Sequence, residues 1–302
     1  AGNVDENELI VQLPPSFGYG TAPISVRVRP EQENRVDGLP ATYKIPNVGS
    51  VPTEPFGPAR QAARDYGQSI GRNIPDLAGN YTYESVDFER ASRTGNAYDE
   101  LLSSPEDEFT KAAYDALAEE VLTQYEFIKD TGLEIEFSPD DIDPYPNSAQ
   151  EMVEDVKNNN HMYVSSIDQR YGEGEIASED VQNNPMLRLT DEYISGRQAR
   201  VDDILRLVHN YFGHIKEGFN FTDSGKDAAY ASHAVMFSPL ARVALATETR
   251  GQNSSATLSR IERGLSEETS VVVPPKIGIL PDFAINEGIE NLVEPVDVQE
   301  LR

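Results

Sequence analysis

Apolar positions recur with helical spacing through the middle of the chain. After Ser104-Pro105, apolar residues return every three or four positions as far as Ile128. A capping serine, a proline at the first helical position and an acidic first turn predict that a helix begins here, and it is expected to end near Gly132. Further helices are predicted from Pro58 and over 148–158, with a short strand over 161–164.

Four short helices are predicted in quick succession later in the chain. They cover 202–212, 223–237, 238–251 and 254–264, and Ser238-Pro239 repeats the serine-proline start. Residues 165–200 are rich in glycine, asparagine and acids, which predicts a loop.

Both ends of the chain have the pattern of extended structure. Prolines interrupt residues 1–57 too often for helices or central strands, although the alternation over 24–28 is typical of an edge strand. This segment is interpreted either as a flexible tail or as an arm over the body or a neighbouring subunit. The prediction is a mainly α fold with minor β: an extended proline-rich segment (1–57), a compact helical core domain (58–265) and an extended C-terminal segment (266–302).

Charge and composition exclude several function classes. The 302 residues include 25 Lys and Arg against 52 Asp and Glu, a net charge of −27, so binding to nucleic-acid backbones or anionic membranes is not expected. No apolar run approaches the 18 residues of a membrane span, and no signal-peptide pattern opens the sequence. Cysteine is absent, which excludes disulfides, thiol nucleophiles and cysteine-ligated metals.

Three of the four histidines fall within 25 residues, and a glutamate follows. His209 and His214 are five positions apart, and Glu248 lies two predicted helices later. Two imidazoles and one carboxylate form a facial triad for Fe(II), and the same ligands also suit Zn²⁺. Residues five apart on an ideal helix are about 140° apart, so sharing one ion requires the helix to end or distort near Gly213. The alternative is that these are hydrogen-bonded histidines of the core.

Four more residues are candidates for contacting the metal ligands or a substrate. They are His233, Arg250, Gln252 and Glu217. Gln252 is one turn beyond Glu248, where it could hydrogen-bond a ligand or water. The substrate, a small molecule, is not indicated by the sequence.

The spacing His-x4-His followed by Glu resembles the iron site of the pterin-dependent aromatic amino-acid hydroxylases. In that family His-Glu-Leu-Leu-Gly-His supplies both imidazoles, and His209, His214 and Glu248 match those ligands. The resemblance is confined to this patch, Asn210 replaces the glutamate after the first histidine, and pterin use is not implied.

A broader resemblance covers about residues 98–255. Motifs such as Asn184-Pro185-Met186-Leu187, the segment from Val208 to His214 and Glu248-Thr249-Arg250-Gly251-Gln252-Asn253 are similar to a domain of bacteriophage proteins, including uncharacterised proteins of marine phages and modules of large polyvalent phage proteins. The resemblance implies a viral origin, with a location in the host cytoplasm during infection or in the virion.

Two functions follow from these observations. The first is a phage metalloprotein with a 2-His-1-carboxylate site, of which a non-haem iron oxygenase is one form. The second is a non-enzymatic virion or assembly protein whose histidines are structural. In that case the terminal arms would bind a second copy or other virion proteins by strand addition.

Overall fold

Helices dominate the part of the chain that can be described. The computed structural model describes residues 54–77, 85–139, 144–145, 149–168, 176–266, 269, 271 and 273–302, and the backbone of three strands before residue 54. The predicted class, mainly α with minor β, is confirmed. The prediction that residues 1–57 form either a tail or an arm concerns residues that lie largely outside the described ranges.

The helices follow one another with short connections. They are α1 (Gly57–Ser69), α2 (Phe88–Glu100), α3 (Glu108–Lys129), α4 (Ala149–Asn159), α5 (Ser178–Asn183), α6 (Val201–His209), α7 (Asp223–Ala234), α8 (Pro239–Ala246), α9 (Gln252–Glu262), α10 (Asp282–Asn286) and α11 (Val298–Leu301), with a short 3₁₀ helix at Pro185–Leu187. Two π-helical segments continue them: π1 (Asn210–Ile215) follows α6, and π2 (Thr247–Gly251) joins α8 to α9. No helix in the described ranges combines the length and apolarity needed to cross a bilayer.

Short strands pair two by two. Antiparallel pairs join β1 (Leu9–Gln12) to β2 (Ser25–Val28), β3 (Thr42–Lys44) to β4 (Ser85–Asp87), and β7 (Leu189–Ile194) to β8 (Arg197–Arg200). A parallel pair joins β5 (Glu134–Phe137) to β6 (His161–Val164) in the register Glu134↔His161. The strands predicted near 24–28 and over 161–164 are confirmed as β2 and β6.

The core is built around α3. Its apolar stripe includes Leu117, Val121 and Ile128, which are fully buried. This stripe packs against α1, α6 and α8, while α2 and α9 pack against each other. The backbone N–H of Phe56, just before α1, donates to Lys216 O at 3.1 Å, which ties α1 to the histidine-bearing segment.

The start of α3 differs from the prediction. Asp107, not Ser104, caps the helix, because its carboxylate accepts the Thr110 N–H at 2.9 Å. The Ser104 backbone N–H donates to Ile277 O at 2.7 Å, which joins the segment before α3 to the C-terminal segment. The predicted end is confirmed, since α3 stops at Lys129 and Gly132 follows in the left-handed region at φ +76°.

The loop predicted over 165–200 is wrong for much of that range. Within it, α5 and the hairpin of β7 and β8 form. The hairpin turns at Ser195 and Gly196, whose φ angles are +50° and +76°. Positive φ at both central residues is typical of tight hairpin turns, and the two adjacent acids of β7, Asp191 and Glu192, obscured its strand pattern.

The helix break predicted between 251 and 254 is absent. Residues 239–262 form one continuous helical run through π2. Gly251 keeps right-handed helical angles there, at φ −60° and ψ −52°, instead of ending the helix.

The C-terminal segment lies against the core. Its described residues before α10 form neither helix nor strand, and the two short helices α10 and α11 were not predicted. Ile277, Leu280 and Ile285 are buried, so this segment completes the apolar interior.

Candidate functional site

A change of helical pitch brings His209 and His214 together. In π1 the Lys216 N–H donates to Tyr211 O at 2.8 Å, five residues back, which widens the turn. The two imidazole rings then lie 5.5 Å apart between centroids, with their planes at 89°. The distortion that the sequence analysis required near Gly213 is confirmed.

Gly213 makes room for this arrangement. A Cβ atom at this position would lie 3.1 Å from Nδ1 of His209 and 3.0 Å from Ala229 O. Glycine therefore lets the His209 ring pack directly against the helix backbone.

His233 extends the pair into a chain of hydrogen bonds. Its Nε2 lies 2.8 Å from Oε1 of Gln124, and its Nδ1 lies 3.0 Å from Nδ1 of His209. With the Gln124 amide oriented this way, His233 donates from Nε2 and accepts at Nδ1. His209 therefore carries its proton on Nδ1, which leaves a lone pair on Nε2. We call His209, His214 and His233 the histidine cluster.

His214 has the same tautomer as His209. Its Nδ1 donates to Phe219 O at 3.1 Å, so its Nε2 also carries the lone pair. The edge of its ring packs on Phe221, with centroids 4.7 Å apart.

Burial keeps the whole cluster uncharged. All three side chains have 0% exposure. Desolvation lowers the pKa of His214 to about 3 and holds the pKa of His209 and His233 well below the usual value. The cluster is therefore neutral at physiological pH, which is the form that binds metals.

Glu248 lies in a different cluster of polar groups. Tyr114 OH donates to its Oε1 at 2.7 Å, and Gln252 Nε2 donates to its Oε2 at 3.2 Å. Burial, assisted by the charge of Asp202, raises the pKa of Glu248 to about 8, against the two hydrogen bonds. The carboxyl group is therefore largely protonated at neutral pH.

The predicted three ligands are not brought together. In the described part of the chain, no group of three or more His, Asp or Glu side chains is arranged to hold a metal ion. The physical reason is that both carboxyl oxygens of Glu248 accept hydrogen bonds from other residues, Tyr114 and Gln252. Metal binding by His209 and His214 stays a prediction.

The other predicted residues have separate positions. Gln252 does share a helix face with Glu248, as expected. Arg250 ties π2 to α7 and the C-terminal segment, since its Nε donates to Asp227 at 2.9 Å and its Nη1 donates to Glu287 O at 2.7 Å. Glu217 is buried, and Arg60 Nη2 donates to its Oε2 at 2.6 Å.

Sequence reasoning missed Gln124 and Lys216. Gln124 occupies a position in the apolar stripe of α3, between Val121 and Ile128. A polar residue at such a position indicates a buried hydrogen bond, and this was the signal that could have identified it. Lys216 is buried, its Nζ donates to Ser232 O at 3.1 Å, and desolvation lowers its pKa to about 8. Lys216 stands between Ile215 and Glu217 in the sequence, a pattern that does not indicate a buried lysine.

Comparisons with known proteins identify no relative of this chain. No protein-family model, curated protein or solved structure matches the chain. The resemblances to phage proteins and to the aromatic amino-acid hydroxylases therefore stay predictions from sequence.

Proposed function

We propose that this chain is a bacteriophage protein whose helical core binds one transition-metal ion, iron(II) or zinc, through Nε2 of His209 and Nε2 of His214. The observation that carries the proposal is the π1 segment, which places two neutral imidazoles side by side. A regular helix would separate them, and π-helical segments occur often at functional sites.

The ring geometry supports a shared ion. With metal–nitrogen distances of about 2.0–2.1 Å, two imidazole centroids on one ion lie about 4.5 Å apart at a right angle and about 5.2 Å apart at a tetrahedral angle. The observed separation between His209 and His214 is 5.5 Å.

The outer hydrogen bonds support the same assignment. Metal-binding histidines usually donate their second ring N–H to a carbonyl or a similar acceptor, which fixes the tautomer. His214 donates to Phe219 O, and His209 donates to Nδ1 of His233. In this proposal His233 and Gln124 do not bind the ion, and they orient the metal ligand His209.

The proposal assigns no ligand role to Glu248. Its carboxyl group is held by Tyr114 and Gln252, so the iron-oxygenase triad does not fit the described side chains. An ion held by two histidines would have open coordination positions, at which iron(II) supports oxygen chemistry and zinc activates water.

A second candidate is a non-enzymatic virion or assembly protein. The observation that favours it is the complete burial of the histidine cluster together with its hydrogen bonds to Gln124 and Phe219. In that role the cluster stabilises the core, and the protein acts in the virion or in the host cytoplasm during assembly.

Metal analysis separates the two candidates. Protein purified without a His-tag or chelator is analysed by mass spectrometry, before and after anaerobic reconstitution with Fe(II) or Zn²⁺. The proposal expects about one ion per chain in the wild type and in Glu248→Gln, and at least a tenfold loss in His209→Ala and His214→Ala. His161→Ala is the matched control, because His161 lies outside the cluster, paired with Asp155 at 2.7 Å.

A spectroscopic measurement covers variants that fold poorly. Co²⁺ bound by the wild type is expected to give visible absorption that His214→Gln lacks, with circular dichroism confirming the fold. Absence of metal after reconstitution, or retention of metal by both histidine variants, would overturn the proposal in favour of the structural role.

A further inference from the structure

A small charged pocket lies between α2, α7 and the start of α9, outside the histidine cluster. Arg90, Asp223, Asp227, Arg250, Asn253 and Ser254 line most of it. It is partly enclosed, with room for about one water-sized group. We call it the guanidinium pocket.

Ion pairs give this pocket a positive excess. Arg90 and Arg250 both pair with Asp227, and Arg260 pairs with Asp223. Arg260 lies outside the pocket lining and neutralises Asp223, so among the described ion pairs Arg90 and Arg250 share the single carboxylate of Asp227. Against the effect of burial, these two arginines lower the pKa of Asp227. An excess positive charge in a partly desolvated site favours a bound anion, even though the whole chain carries −27.

Two hydrogen-bond donors in the pocket lack acceptors among the described residues. They are Nη2 of Arg250 and Nδ2 of Asn253, both buried. The Arg250 side chain is 1% exposed, and its other nitrogens are bonded to Asp227, Ala284 and Glu287. A buried donor without an acceptor is unfavourable, so an acceptor from outside the described residues would stabilise both groups.

The geometry of Arg250 directs its open donor to the pocket. Nε and Nη2 lie on the same edge of a guanidinium group, and Nε is bonded to Asp227, which lines the pocket. Tyr230 covers the face of the guanidinium, 4.2 Å from Cζ to the ring centroid. The group is therefore fixed in place.

We propose that the guanidinium pocket binds one oxyanion head group, a carboxylate or a phosphate, through Nη2 of Arg250 and Nδ2 of Asn253. Both open atoms are donors only, so they require an acceptor, and the positive excess favours an anionic one over water. Since the space fits one water-sized group, one oxygen enters while the rest of the head group faces the open side. This site goes beyond the proposed metal site and shares no residue with it.

Arginine side-chain NMR tests this directly. Metal-free full-length protein, desalted after chelation, is titrated with inorganic phosphate, acetate or chloride at constant ionic strength. The proposal expects a saturable shift of the Arg250 guanidinium ¹⁵N resonances with phosphate or acetate, and none with chloride at equal concentration. Which of the two oxyanions binds more tightly distinguishes a phosphate ligand from a carboxylate ligand.

Asn253→Ala is the informative variant, because the Asn253 amide makes no described hydrogen bond whose loss would unfold the protein. It is expected to weaken oxyanion binding at least fivefold, whereas Asn183→Ala on the exposed side of α5 leaves it unchanged. Shifts equal for chloride and both oxyanions, no shift at all, or equal affinity in Asn253→Ala would each overturn the proposal. Because the protein is metal-free, the result does not depend on the histidine cluster.

Discussion

Glu248 is a carboxyl group held in its neutral form by its surroundings. Its pKa in the folded protein is about 8, against a usual value of 4.5. Between these values the folded state binds more protons than the unfolded state, so the contribution of Glu248 to stability is fully present below pH 4.5 and is lost as the pH rises to about 8. Tyr114 and Gln252 limit the loss by hydrogen-bonding the carboxyl group.

Glu248→Gln is therefore expected to change the pH dependence of stability. Glutamine mimics the neutral carboxyl, so the variant should match the wild type at pH 5 and exceed it by about 1–3 kcal/mol at pH 9. Urea unfolding at pH 5, 7 and 9 measures the difference. Glu119→Gln on the exposed face of α3 is the control. A stability difference independent of pH would contradict the raised pKa.

The sequence predicted that His209 and His214 lie together, but it did not predict the surroundings of Glu248. His209 and His214 were recognisable by spacing, and the need for a distorted helix between them was a geometric argument that the structure confirms. Glu248 was assigned by order along the chain, yet its environment depends on Tyr114, which is 134 positions away. Local patterns do not carry such contacts.

At the scale of the element, Gly95 allows the close packing of α2 on α9. A Cβ on Gly95 of α2 would lie 2.8 Å from Ser254 O and 3.2 Å from Cβ of Leu258 on α9. Contacts that close require the backbone of one helix to shift.

Gly95→Ala is expected to destabilise the fold by about 1–2 kcal/mol, since overpacking outweighs the gain in helix propensity. Gly57→Ala is the matched control, because a Cβ there meets nothing within 4 Å. It should change stability by less than about 0.5 kcal/mol. Thermal unfolding of both variants measures the contrast, and equal melting temperatures would refute the close packing of α2 on α9.

Some elements were readable from local signals and others were not. Pro58 marked α1, and the apolar residues of α4 marked its buried side. The hairpin of β7 and β8 was missed because its turn is formed by Ser195 and Gly196 between strands rich in polar residues. The π segments were invisible as such, since one extra residue per turn barely alters an apolar pattern.

At the scale of the whole molecule, the C-terminal segment is part of the interior. Ile285 of α10 is fully buried, and its carbonyl accepts the Tyr230 hydroxyl at 2.7 Å. The sequence indicated extended structure here, and its apolar residues alone did not show which surface they would cover.

Ile285→Ala is expected to cost about 2–5 kcal/mol, because it removes apolar volume from a closed interior. Leu102→Ala provides the control, as Leu102 is 84% exposed. Urea unfolding of the two variants should differ by at least about 2 kcal/mol. Equal stabilities would show that α10 is not part of the cooperative core.

The packing of α2 on α9 also has a consequence for folding during synthesis. Ser255 donates to Asp99 at 2.6 Å across 156 positions, so α2 leaves the ribosome long before its partner is made. At about 5–20 residues per second, that wait is roughly 8–30 s. During it the buried face of α2 has no α9 to cover it. Until α9 is made, this face is open to solvent and to other apolar surfaces, so α2 completes its packing only late in synthesis.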